Sequence, residues 1–237
     1  GQEMGLACDF TISSDLARYG QAGPKHGSAP DGGSTDFLDL YVGFARAMES
    51  CVLCEHWSAH KAHHIGLVNQ IVPVLRNSEG EWIPNPLVRL DWVDPVSGQI
   101  VYGEFLEGED KRVGREVMRG CEVNLSNLDE AVERLSWKLV NTFPGCTRKT
   151  LTSVRKKKLH WWDANRETNR EWLALNMAVE AAAGFRAFNL GGRELEDGSR
   201  TSRQVDFIEV RRAIARGERW TDELVESWMP KAPEEDS

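Results

Sequence analysis

The sequence predicts an α/β fold, and three observations carry that prediction. Short apolar strands at Phe10-Thr11-Ile12 and Leu67 to Val72 alternate with helical spacing over the first 73 residues. A helix signal opens at Ser126, and helical spacing returns over a long run from Trp161 to Phe188. Hydrophobic residues make up 41% of the 237 positions and charged residues 28%. That balance is ordinary for a globular protein with enough chain for one large domain or two small ones.

Taken in order, Glu3 to Cys8 reads as a short helix leading into the first strand. Gly20 to Ser34 is turn-rich, with glycine at 20, 23, 27, 32 and 33 and proline at 24 and 30. So much glycine marks backbone forced into unusual angles or close to a ligand. Phe37 to Leu53 has the spacing of one helix, Ser58 opens a short one, and Gly66 to Pro73 carries the second strand. Residues 74–120 read as an irregular insert with a hairpin around Pro95-Val96-Ser97-Gly98. Ser126-Asn127-Leu128-Asp129 fits a capping box whose helix runs toward Pro144. The long candidate from Trp161 should break near Gly184. These patterns divide the chain into 1–73, 74–120, a helical region over 121–231 and a disordered acidic tail over 232–237.

A net charge of −8 argues against general nucleic-acid binding, and no apolar run approaches the length of a bilayer span. Five cysteines without framework spacing suit a reducing cytoplasm. The chain has no initiator Met and no basic start of a signal peptide, so a truncated beginning is expected.

Cys51-Val-Leu-Cys54 followed by His56, His60, His63 and His64 offers zinc-binding residue types. With no second cysteine pair, the preferred reading is packing cysteines beside solvated histidines. Arg155 to Lys158 forms a cationic run. It suits either a phosphate contact or a solvated helix end, and the second is preferred.

The N-terminal block is more specific. Gly1-Gln-Glu3-Met-Gly-Leu-Ala-Cys8-Asp9-Phe precedes Gly20-Gln-Ala-Gly23-Pro-Lys-His26-Gly27-Ser28 and Asp31-Gly-Gly-Ser-Thr35-Asp36-Phe37. Ser58-Ala59-x2-Ala62-x3-Gly66-Leu67-Val68-Asn69 then leads to Val72-Pro73. In order and spacing this resembles the crotonase (enoyl-CoA hydratase/isomerase) superfamily. Its members read Gly-Gly-Gly-x-Glu-x-x-x-x-Cys-Asp and later Ala-x-x-x-Gly-Leu-Val-Asn-x-Val-x-Pro. Within the superfamily, Gly20 to Ser28 is similar to the naphthoyl-CoA synthase branch. It is more similar still to the ring-opening acyl-CoA hydrolases of anaerobic benzoyl-CoA degradation. Trp172-Leu-Ala-Leu-Asn-Met, Gly184-Phe-Arg-Ala-Phe-Asn and the insert extend that likeness over nearly the whole chain.

The resemblance implies the later ββα turns of a crotonase spiral core, followed by C-terminal helices and self-association as a trimer or hexamer. It implies an acyl-CoA substrate, with CoA entering as part of that substrate and no metal or other cofactor. It implies a cytoplasmic enzyme with neither nucleic acid nor membrane as partner. Enolate chemistry on a thioester needs two backbone N–H donors at the thioester oxygen and a carboxylate or imidazole to move protons.

By the family pattern Glu3 carries the catalytic carboxylate, while Gly23 stands where hydratases have a second one, leaving room for water or a small anion. Pro30 occupies the place of the synthase branch's aspartate, with Asp31 displaced by one. Asp36 and His26 are the further acid–base candidates, and Gly1, Gly23, Gly27 and Ser28 the substrate-binding ones. The oxyanion donors are expected upstream of Gly1, so the fragment alone is expected to be inactive. The competing expectations are a synthase-like lyase, an enoyl-CoA hydratase or a non-catalytic scaffold.

Overall fold

The computed structural model describes residues 1–90, 93–175, 180–195 and 200–231. Its first layer is α1 (Gln2–Ala7), β1 (Ile12–Ser14) and β2 (Arg18–Tyr19), followed by a 3-10 turn at Gly23–Lys25. The strand expected at Phe10 starts two residues later because pairing decides it. Ile12 to Ser14 align in parallel with Gln70 to Val72, which form β4. The expected single helix over 37–53 is two, α2 (Ser34–Val42) and α3 (Phe44–Leu53). Gly43, at φ 77°, turns the chain between them. That angle suits glycine alone among unstrained residues.

β3 (Trp57–Ser58) pairs antiparallel with β2, and α4 (Ala59–His64) follows at once. Ser58 caps α4 by accepting from Lys61 N at 3.1 Å, as its sequence position predicts. Leu6, Phe37, Leu38, Ala47, Cys51, Trp57, Ala62, Leu67 and Val68 form the main core, which binds α1 to α2, α3 and α4. Cys51 and Cys54 are therefore packing residues, as preferred, and burial pushes the Cys51 thiol up to about 11.

The insert is more regular than its sequence suggests. β5 (Leu75–Arg76) pairs with β6 (Trp82–Ile83) on one side and β7 (Glu122–Val123) on the other. α5 (Gly108–Arg119) is a full helix that the pattern did not show. Gly114 lies inside it because a Cβ there would collide with Pro86 O. The expected hairpin is present as the Val93–Ile100 bridge closed by Asp94. Buried Asp15 ties the insert to the core, its carboxylate accepting from Val74 N at 3.3 Å and Asn85 N at 2.8 Å.

α6 (Ser126–Val140) starts one residue earlier than a capping box would allow. Ser126 lies within it, and Asn124 Oδ1 accepts from Ser126 N instead. α7 (Pro144–Ala164) begins with proline at its first turn, where the missing N–H costs nothing. The long helical run breaks at Asn165, before α8 (Arg166–Leu175), and not at Gly184. Gly184 sits inside α9 (Ala181–Leu190), where a Cβ would overlap the backbone of His26. α10 (Phe207–Ala215) and α11 (Asp222–Ser227) complete the helical region. The tail at 232–237, expected to be disordered, lies outside the described residues.

The cationic run is not a solvated helix end. It lies mid-α7, where Lys158 Nζ donates to Leu6 O at 2.6 Å and Cys8 O at 2.8 Å. Arg155 pairs with Asp9 through Nε at 2.8 Å. Side chains from α7 thus satisfy carbonyls left open at the end of α1.

Candidate active site

The turn-rich segment over 20–34 divides the candidate residues into two groups. Its second half faces α1. Glu3 Oε1 accepts from Gly32 N at 3.1 Å and Ser34 N at 3.4 Å, so a side chain from α1 supplies the acceptor at the start of α2. A Cβ on Gly32 would meet the Glu3 carboxylate, so a larger residue there would displace that side chain from the turn. Gln21 Nε2 steadies the same turn by donating to Ser34 Oγ at 2.5 Å. Asp36, in the first turn of α2, is 2% exposed. Asn169 of α8 donates to its Oδ1 at 3.5 Å, and Asn165 donates to Thr35 O at 3.1 Å beside it.

Burial is the largest influence on Asp36 and raises its pKa. The amides of Asn165 and Asn169 oppose that shift, and the neighbouring Asp31 and Glu3 add to it. Burial also raises Asp31, against a hydrogen bond from Thr35 at 3.2 Å. Glu3, Asp31 and Asp36 therefore make one carboxylate cluster. Asp31, one place off the family position, belongs to it. Asn165 and Asn169 escaped sequence reading because nothing local marks a partner more than a hundred residues away.

The first half of the segment faces the C-terminal helices. His26 stacks edge-on against Phe188 of α9, at 5.2 Å between ring centroids. Burial lowers its pKa, with Lys25 adding to the effect, so the imidazole favours the neutral form. His26 packs on α9, whereas the contacts of Glu3 and Asp36 lie on α2 and the α7–α8 junction. His26 and the two carboxylates thus make two separate sets of contacts.

Gly23 O accepts from both His26 N and Ser28 N at 2.9 Å. A Cβ on Gly23 would meet Ser28 O at 2.9 Å, so the side that was to hold water is filled by the turn's own backbone. Gly27, at φ 75°, lies so close to Glu180 O that no Cβ fits. Ser28 Oγ accepts from Trp172 Nε1 at 3.2 Å. Gly1 is exposed and caps α1 through its carbonyl, which accepts from Gly5 N at 3.1 Å. Beside Gly27 lies a cavity of about 240 Å³ whose walls include Lys25, Gly184, Phe207, Trp220 and Trp228. Among the described residues no group of three or more His, Cys, Asp or Glu is arranged to hold a metal ion.

Residues 1–84, which hold both groups of the 20–34 segment, match a family model described as enoyl-CoA hydratase/isomerase. Over these residues the chain resembles the crotonase family. The crotonase likeness continues beyond them. The chain is 51% identical to a 6-oxocyclohex-1-ene-1-carbonyl-CoA hydrolase of Thauera aromatica over 98% of its own length and 60% of that protein's. It is 50% identical to a protein of the same name in Geobacter metallireducens, over 98% of this chain and 59% of the other. The chain thus spans about 60% of the length of these relatives.

An enoyl-CoA hydratase structure from Mycobacterium avium subsp. paratuberculosis superposes with a TM-score of 0.53 at 19% identity, covering 79% of this chain and 56% of that one. At that identity it shows the fold alone, and the fold is crotonase-type α/β.

Proposed function

We propose that the protein carrying this chain hydrolyses 6-oxocyclohex-1-ene-1-carbonyl-CoA, opening its ring to 3-hydroxypimeloyl-CoA. Identity of 51% over 98% of the chain with a hydrolase of that name is the observation that carries the proposal. In this reaction one water adds across the polarised C=C bond. A second water attacks the ring ketone, and the C–C bond then breaks toward the thioester. Both stages place negative charge on the thioester oxygen, and both need a group that accepts and returns protons from water.

Glu3 is the group assigned to that task. Its Oε1 is anchored by Gly32 N and Ser34 N, and no hydrogen bond occupies Oε2 among the described residues. Asp31 lies in the same cluster. Ser28, Gly23 and Gly27 shape the substrate side, where the Gly27 cavity adjoins the turn. A soluble cytoplasmic oligomer completes the proposal. Self-association is supported by Trp137, Val140 and Phe143, large apolar side chains that α6, α7 and their connection leave exposed.

The test is to incubate the full-length protein that carries this chain with the cyclic enone CoA thioester and follow its conversion by mass spectrometry. Formation of 3-hydroxypimeloyl-CoA is expected, and Glu3→Gln should slow it by about 10²–10⁴-fold, the usual worth of a positioned acid–base group. Absence of the ring-opened product from the native protein would remove the proposal.

A further inference from the structure

Two buried oxygens in the carboxylate cluster lack a hydrogen-bond partner among the described residues, and they belong to residues that already touch. One is Asp36 Oδ2 and the other Asn169 Oδ1. The remaining polar atoms of the same two groups are joined, with Asn169 Nδ2 donating to Asp36 Oδ1 at 3.5 Å. Two acceptors left over beside an amide–carboxylate contact are the pattern expected when a proton is missing from the account. A proton on Asp36 Oδ2 turns that oxygen into a donor, and Asn169 Oδ1 is the acceptor it needs. The amide and the acid then close a planar ring of two hydrogen bonds.

We propose that Asp36 is held as an uncharged acid by Asn169, its Oδ2 proton donated to Asn169 Oδ1 while Oδ1 accepts from Asn169 Nδ2. Asn169 is then a positioning residue, and α8 sets the protonation state of a side chain on α2. Donation from Asn165 and Asn169 alone favours the ionised form. It is the bond from Oδ2 to Asn169 Oδ1 that reverses this for Asn169, and burial acts in the same direction as that bond. Asp36 is 2% exposed, which disfavours a charge there, and burial is the leading influence on it. The groups facing Asp36 are Asn165 and Asn169 across the α7–α8 junction, Asp31 in the preceding loop and Glu3 on α1. No cation is among these leading influences, and Asp31 and Glu3 both disfavour a charge on Asp36.

The inference rests on the proposed hydrolase only for what the proton serves. With Asp36 uncharged, Glu3 is left as the carboxylate assigned to proton transfer in the proposed reaction.

The test is infrared difference spectroscopy of the purified protein, with Asp36→Asn as the reference. A protonated-carboxyl stretch assignable to Asp36 should be present at pH 7 and should disappear in Asp36→Asn. In Asn169→Leu that band should titrate away at lower pH than in the native protein or shift to a carboxyl without an amide partner. Asp36→Asn can restore the ring as an amide–amide pair and should keep its melting temperature, whereas Asn169→Leu should lower it. An ionised Asp36 at pH 7 overturns the proposal, as does a band that Asn169→Leu leaves unmoved. Neither readout uses substrate, so a full-length protein that shows the band but no ring opening would refute the hydrolase and leave this pairing standing.

Discussion

Replacing Gly184 with alanine isolates the contact on which the 23–27 turn rests. A Cβ at this position would overlap the carbonyl carbon and oxygen of His26 and lie 2.8 Å from its Cα. All three obstacles are backbone, so no rotamer change relieves them, and α9 and the turn must separate. Overpacking of this kind costs roughly 1–3 kcal/mol. Alanine recovers about 1 kcal/mol through helix propensity. The net expectation is a loss of up to about 2 kcal/mol, or up to roughly 8 °C in melting temperature for a chain of this size, and a deficit of about 1–3 kcal/mol against a glycine-to-alanine change that meets no obstacle. Gly145→Ala is the control, because nothing lies within 4 Å of its Cβ in α7. It should be neutral or slightly stabilising. Thermal and urea unfolding of both variants would measure the difference. The geometry would be refuted if Gly184→Ala proved as stable as Gly145→Ala.

Three further outcomes are expected. Lys158→Met should cost about 1–2 kcal/mol by leaving Leu6 O and Cys8 O without their charged donor, read as a lower urea midpoint. Asp9 is held below its usual carboxylate value chiefly by the hydrogen bond from Arg155. The stability this adds is present above the ordinary value near 3.8 and fades as pH falls through the lowered one, so the deficit of Arg155→Ala should shrink in acid melts. Cys51, with its thiol near 11 and its side chain buried, should resist a disulfide reagent at pH 8 until the chain unfolds. Exposed Cys8 and Cys146 should react at once, and a fast phase that includes Cys51 would contradict its placement.

The elements that could be read from sequence were those whose reasons are local. Ser58 caps α4 because a serine before a helical run has its acceptor in place, whereas Pro144, read as the end of the helix before it, also opens α7, which begins well before the expected Trp161. Where distant partners decide, local pattern misleads. β1 begins at Ile12 because β4 pairs there, and Phe10 lies outside the ladder. Gly114 and Gly184 look like helix breakers, yet both lie in helices where another backbone comes too close for a Cβ. At the site, the family spacing marks Glu3 as a candidate. The direction His26 faces was not, because it depends on α9 packing against the turn. Asn169 gave no signal, since its partner Asp36 lies 133 positions earlier.

The short helix that carries Glu3 has a consequence for the order of folding. At six residues, α1 is too short to persist in water by itself. It is fastened at one end through Glu3 to the turn at Gly32 and Ser34, and at the other through Lys158 in a helix about 150 positions later. Contacts of such long range form late, since the loop they close must be paid for first. Glu3 should therefore come to rest only after α7 has docked. In native-state hydrogen exchange, the amides of α1 should open together at a free energy below that of global unfolding, and Lys158→Met should bring that opening lower still.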